Sequence, residues 1–220
     1  MRFKFLHSII FVLAFCLCAV FCFASETDFQ YRGMFMTSPK INDSWKGSLF
    51  TEIFTRNDAR QLYNYYFDIG AFYTGFAKWL DVGAFYRHLR SKSNIGWLTE
   101  YRPHADAVLK WAMGEYKLSN RGRIAYRIRE KEDDVWRFRN ILTLTFPYKW
   151  TKLDLQPFIA HEIFYTLDTG DLETNETRAG FNFKLCKYMT ANIYYMYHLT
   201  KYDSLHKEIH YLGSVINFYF

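Results

Sequence analysis

The sequence predicts an all-β chain that closes into an antiparallel transmembrane β-barrel of the bacterial outer-membrane kind. About ten strands are expected, with twelve or eight as alternatives. Three observations carry this expectation: an apolar leader, long segments that alternate apolar and polar residues, and a last stretch that alternates up to a terminal Phe220. Successive side chains of a strand leave on opposite faces, so strict alternation reads as strand. Aromatic residues make up 21% of the chain. No segment after the leader reaches the ~18 uninterrupted apolar residues of a spanning helix. A secreted chain of this kind enters a membrane only as a closed barrel, because every backbone polar group must be paired within the sheet.

The leader comes first. Arg2 and Lys4 form a short basic region, Leu6 to Phe23 are almost entirely apolar, and Cys22-Phe23-Ala24 places small residues before Ser25. That order predicts a secretory signal peptide over 1–24, cleaved before Ser25, with an uncleaved membrane anchor as the alternative. Cys16, Cys18 and Cys22 leave with it, so Cys186 stands alone and no internal disulfide is expected. Lysine plus arginine falls from 28 to 26 against 22 acids, a formal +4. With no basic run or binding motif, nucleic acid is not an expected partner.

Residues 25–44 read as a periplasmic lead-in, since Pro39 and Asn42-Asp43-Ser44 interrupt the alternation of 29–36. From Trp45 to Phe220 the chain reads as one barrel domain. Strands are expected near 45–56, 61–76, 80–91, 95–111, 116–131, 134–148, 153–166, 175–187, 190–202 and 208–220. The connections fall into two alternating sets, one at each rim. An even count would return the N-terminus to the periplasmic side. A soluble sandwich is the competing architecture, but strands this long with one apolar and one charged face disfavour it.

The faces divide the residues. Leu212, Ser214, Ile216, Phe218 and Phe220 share one side of the last strand, and its aromatic ending resembles the terminal assembly signal of outer-membrane barrels. Phe218 and Phe220 are therefore the expected assembly residues. On 61–76, Tyr63, Tyr65, Phe67, Ile69, Ala71 and Tyr73 oppose Asn64, Asp68 and Thr74. Arg121, Arg123, Arg127 and Arg129 share the inward face of 116–131, and Arg137 and Arg139 that of the next strand. Arg87, Arg102 and Arg178 take inward positions too, as do Glu52, Glu100, Asp106, Asp154 and Glu162. A planar, permanently charged guanidinium meets a carboxylate bidentately, which suits enclosed pairing. The expected lumen is thus a ladder of charges that fixes strand register. A track for acidic oligosaccharides is the functional alternative.

Glu100-Tyr-Arg-Pro-His104, Asn120-Arg-Gly-Arg-Ile-Ala-Tyr-Arg127, Trp136-Arg-Phe-Arg139, Pro157 with Glu162 and Phe164, and Thr177-Arg178 follow one another in a characteristic order. In that order they resemble a bacterial outer-membrane family catalogued as domain-of-unknown-function family 2490. The resemblance implies an outer-membrane barrel and no particular activity. Its members usually carry a glutamate inside the arginine-rich strand, where this chain has Ala125. The chain has no His-Glu-x-x-His, P-loop, Cys-x-x-Cys or Gly-x-Ser-x-Gly motif. Ser204, Ser214 and His198 have no distinguishing spacing. No catalytic residue, metal or cofactor is expected. The expected partners are outer-membrane lipid and the barrel-assembly machinery. The leading expectation is a structural barrel; a narrow anion-preferring channel and a lipid-modifying enzyme are the alternatives.

Overall fold

The computed structural model describes residues 29–202 and 205–219. The predicted signal peptide, Ser204 and Phe220 lie outside them. Eleven strands run in chain order: β1 (Gln30–Thr37), β2 (Trp45–Arg56), β3 (Gln61–Ala77), β4 (Leu80–Ser93), β5 (Gly96–Met113), β6 (Tyr116–Arg129), β7 (Val135–Thr145), β8 (Gln156–Thr166), β9 (Asp171–Cys186), β10 (Met189–Tyr202) and β11 (Leu205–Phe218). Each pairs with its sequence neighbour, and β1 closes the sheet against β11. The described residues contain no helix.

The strand count and the seam correct the expectation of ten antiparallel strands. Residues 30–37 form a full strand in which Gln30 pairs with Tyr211 and Thr37 with Phe218, parallel to β11. The expected lead-in runs over 25–44 with the Pro39 break inside it. That break instead marks the turn from β1 into β2, where Gly47 N–H donates to the Pro39 carbonyl at 2.9 Å. An odd number of strands must close with one parallel pair. Because β1 and β11 are the two ends of the sheet, that pair needs no crossover connection. Residues 29 and 219 therefore lie at opposite rims. Phe29 sits beside the β2–β3 turn, accepting a hydrogen bond from Ala59 N–H at 3.1 Å.

Two bulges shift the faces read from strict alternation. Between β2 and β3, Phe54 pairs with Asn64 but Thr55 with Leu62, so Tyr63 is the extra residue. Its hydroxyl reaches Tyr211 at 2.9 Å rather than joining the outward row. Between β8 and β9, Phe164 pairs with Thr174 and Tyr165 with Leu172, so Glu173 is extra. Its carboxylate faces Arg137 and Thr166. One inserted residue reverses which way the following side chain points.

The burial pattern is inside-out. Glu52, Glu162, Asp68 and Arg87 are among the most buried side chains, whereas Phe67, Ile69, Leu49, Phe35 and Ile193 are exposed. Exposed tryptophans mark the rims, with Trp45, Trp79 and Trp111 toward the β11 C-terminal end and Trp136 toward the other. A concavity of about 490 Å³ lies on this outer wall, lined by Phe35, Leu49, Phe67, Ile69, Tyr86 and Phe218 among others.

An apolar cluster of Phe158, Ala160, Tyr194, Met196 and Tyr211 fills one side of the lumen. Tyr194 pairs with Gly180 on β9 and Gly213 on β11, and its ring lies over Gly213. A Cβ at Gly213 would run into that ring. Gly213→Ala should therefore cost roughly 1–3 kcal/mol by overpacking. The loss should appear as a lower Tm in detergent, and shortening Tyr194 to Leu in the same chain should recover part of it.

Candidate functional site in the barrel lumen

The inward rows hold the charged residues, and three clusters organise them. The first spans β3 to β6. Asp68 accepts from Arg87 at 2.8 Å and faces His104 Nε2 at 3.0 Å, while His104 Nδ1 faces Asp106 at 3.0 Å. Asp106 in turn takes a bidentate pair of bonds from Arg123, at 2.7 and 2.8 Å. All five side chains are buried. Both nitrogens of one imidazole thus join two carboxylates, and an arginine closes each end.

The second cluster joins the β1 seam to β7, β8, β9 and β10. Arg32 links Glu52 to Glu176, with Tyr66 donating its hydroxyl to Glu52. Arg178 links Glu176 to Glu162, and Arg139 donates to Glu162 at 2.7 and 3.0 Å. His198 meets Glu176 at 3.1 Å. Three arginines face three glutamates, so the cluster balances. Its guanidiniums also stack on aromatic rings, Arg32 over Phe54 at 4.7 Å and Arg139 over Phe164 at 4.3 Å. Such stacking favours an arginine whose edges are occupied by carboxylates.

The third cluster is unbalanced. Glu100 takes Arg127 at 2.6 and 3.0 Å and Arg102 on the same two oxygens. Nearby, Arg137 pairs with Glu173, but its buried Nε has no partner among the described residues. Arg121 holds an inward position on β6 with no hydrogen bond or ion pair among the described residues. Among those residues the lumen holds Arg32, Arg87, Arg102, Arg121, Arg123, Arg127, Arg137, Arg139 and Arg178. Against them stand Glu52, Asp68, Glu100, Asp106, Glu162, Glu173 and Glu176. The excess is cationic.

The residues named from the sequence take different places. Arg102, Arg123, Arg127, Arg137, Arg139, Arg178, Glu52, Glu100 and Glu162 come together in the clusters above. Arg129 instead caps the β6–β7 turn, bound to Glu132 and the Asp133 carbonyl. Asp154 lies on the exposed β7–β8 connection, 3.9 Å from Lys149, because β8 begins only at Gln156. Phe218 ends β11 between Thr37 and Met189. Ser214 is bonded to the Tyr31 hydroxyl at 2.6 Å and His198 to Glu176, so these two do not share a site.

Sequence reasoning missed Arg32, Glu173 and Glu176. Arg32 was hidden in a stretch read as lead-in. Glu173 lay between expected strands, where a bulge brings it inward, and Glu176 stood at the edge of the strand expected over 175–187 with no face assigned to it. The alternation Glu176, Arg178, Gly180 was the available signal. No group of three or more potential metal ligands occurs among the described residues.

The pairing pattern predicts unequal mutational costs. Arg127→Ala leaves Glu100 still paired with Arg102, so a loss of ~1–3 kcal/mol is expected. Glu162→Gln removes the anion shared by Arg139 and Arg178 and should cost more, about 3–5 kcal/mol, as for a broken buried pair. Melting in detergent should rank the two variants in that order. Equal losses would mean that the lumen is wet enough to screen both.

No curated protein and no solved structure matches the chain. One family model does, described as "Protein of unknown function (DUF2490)", and it matches residues 29–207. That span runs from the residue before β1 into β11, so every lumen charge described above lies within it. The motif order from Glu100 to Arg178 and the family model thus lead to one assignment: this closed eleven-stranded barrel belongs to the DUF2490 family.

Proposed function

We propose that the protein is an integral barrel of the bacterial outer membrane whose lumen is filled, and that its role there is structural. The observation that carries this reading is the inside-out burial: large apolar side chains cover the outer wall while glutamates, aspartates and arginines are enclosed. In water such a surface would promote association; in lipid it is the stable arrangement. The exposed tryptophans at both rims support the same placement. Lipid and the barrel-assembly machinery are then the partners, with Phe218 and Phe220 serving assembly.

A filled lumen favours a structural role over a conduit. The cavity among the lumen arginines measures only about 10 Å³. That accommodates about one water and is far below the size of a sugar ring. The cationic excess favours the second reading, a narrow anion-preferring channel for acidic oligosaccharides, and would require the ion pairs to part. For the third, a lipid-modifying enzyme, Ser214 and His198 do not converge.

Two measurements test the proposal. The detergent-extracted protein should migrate differently before and after boiling, and it should stay silent in planar bilayers. Extraction into aqueous buffer without detergent would overturn the membrane placement. Steady conductance with anion preference would overturn the filled lumen, and altered lipid profiles on deletion would favour the enzyme. Truncation of Phe220 should lower the amount inserted without changing any of these properties.

A further inference from the structure

The small lumen cavity is lined by residues Arg87, Arg102, Arg123, Arg127, Arg137 and Arg139, with His104 and Ala125 completing its wall and no carboxylate among its lining residues. Two of these arginines face each other directly across β4 and β5, Arg87 opposite Arg102, and two more across β6 and β7, Arg123 opposite Arg139. Like charges directly opposite are destabilising. Between them Ala125 pairs with His104 on one side and Arg137 on the other. It is buried, so its methyl leaves the space that a longer side chain would take.

Asp68, Asp106 and Glu173 pair with Arg87, Arg123 and Arg137, but the remaining acids do not match the remaining arginines. Glu100 serves two arginines at once, and Glu162 is divided between Arg139 and Arg178. The Nη1 atoms of Arg102, Arg127 and Arg139 make no hydrogen bond among the described residues. The buried Nε of Arg137 likewise has no partner there. Unused donors, enclosed positive charge and a cavity of about 10 Å³ occur in one place.

We infer that this cavity is a binding site for a single halide-sized anion, with chloride its physiological occupant. The anion lies against Ala125 and accepts hydrogen bonds from the unused guanidinium N–H groups. It offsets the repulsion of the two facing arginine pairs. The small volume excludes phosphate, sulfate and a sugar carboxylate and leaves room for a monatomic ion or a water. The site rests on the lumen geometry alone and is independent of the membrane placement proposed above.

The test is melting of the full chain in detergent at constant ionic strength, with sodium gluconate replaced stepwise by sodium chloride or bromide. A saturable rise in Tm is expected, roughly 5–10 °C at a hundredfold excess over Kd. Ala125→Glu places a carboxylate in the cavity, so that variant should melt independently of halide and, in gluconate, no lower than the native chain. Equal melting in chloride and gluconate would overturn the site and leave a water there. A halide response unchanged by Ala125→Glu would overturn its location. Should that variant not fold, crystals of the native chain grown in bromide decide the question. An anomalous peak between the Arg123 and Arg137 guanidiniums supports the site, and its absence there refutes it.

Discussion

The interaction on which this structure depends is the guanidinium–carboxylate bond inside a closed sheet. An eight-stranded barrel is just wide enough for ordinary side chains to fill, and each added strand widens it. With eleven strands, long side chains must reach inward from every wall. Arginine and glutamate have that length, and they meet with a directionality that aliphatic chains lack. The same bonds fix register. A slip of one residue would turn Glu52, Asp68 and Arg87 outward and Phe67 and Ile69 inward, breaking every enclosed ion pair at once.

The network also explains the parallel seam. Arg32 on β1 reaches Glu52 on the neighbouring β2 and Glu176 on β9, so the shortest strand is tied both to its partner and to a strand beyond the seam. A strand of eight residues makes few ladder bonds. Its place between β2 and β11 is held by this enclosed charge network as well as by backbone pairing on both sides. The seam in turn positions Tyr211 and Gly213 against Tyr194, joining the charged part of the lumen to its apolar cluster.

Charge is distributed unevenly within the lumen. Around β1, β8 and β9 every glutamate and arginine is matched, and stacking on Phe54 and Phe164 stiffens the array. Around β5, β6 and β7 arginines outnumber their acids, and the cavity beside Ala125 lies there. An enclosed charge without a partner is costly. The imbalance is therefore the feature most informative about what else the lumen holds, whereas the matched side accounts for rigidity.

Much of this could be read from the sequence because period-two alternation is a local property. The outward row of Phe67 and Ile69, the inward row of Arg123 and Arg127, and the alternating turns all follow from strand geometry acting over a few residues. So did family membership, which rests on the order of short motifs. Features that depend on two distant segments were not legible. Whether residues 30–37 pair at all is decided by β11, almost the whole chain away, and that pairing changed the strand count from ten to eleven. Which residue a bulge inserts is decided by the partner strand, so Tyr63 left its expected row and Glu173, expected in a connection, turned into the lumen. The sequence alone determined which residue types face outward and which face the lumen, because a strand's alternation is written into the chain. Only the closed sheet decided which arginine meets which carboxylate, because those partners sit on different walls and converge only when the last strand finds the first.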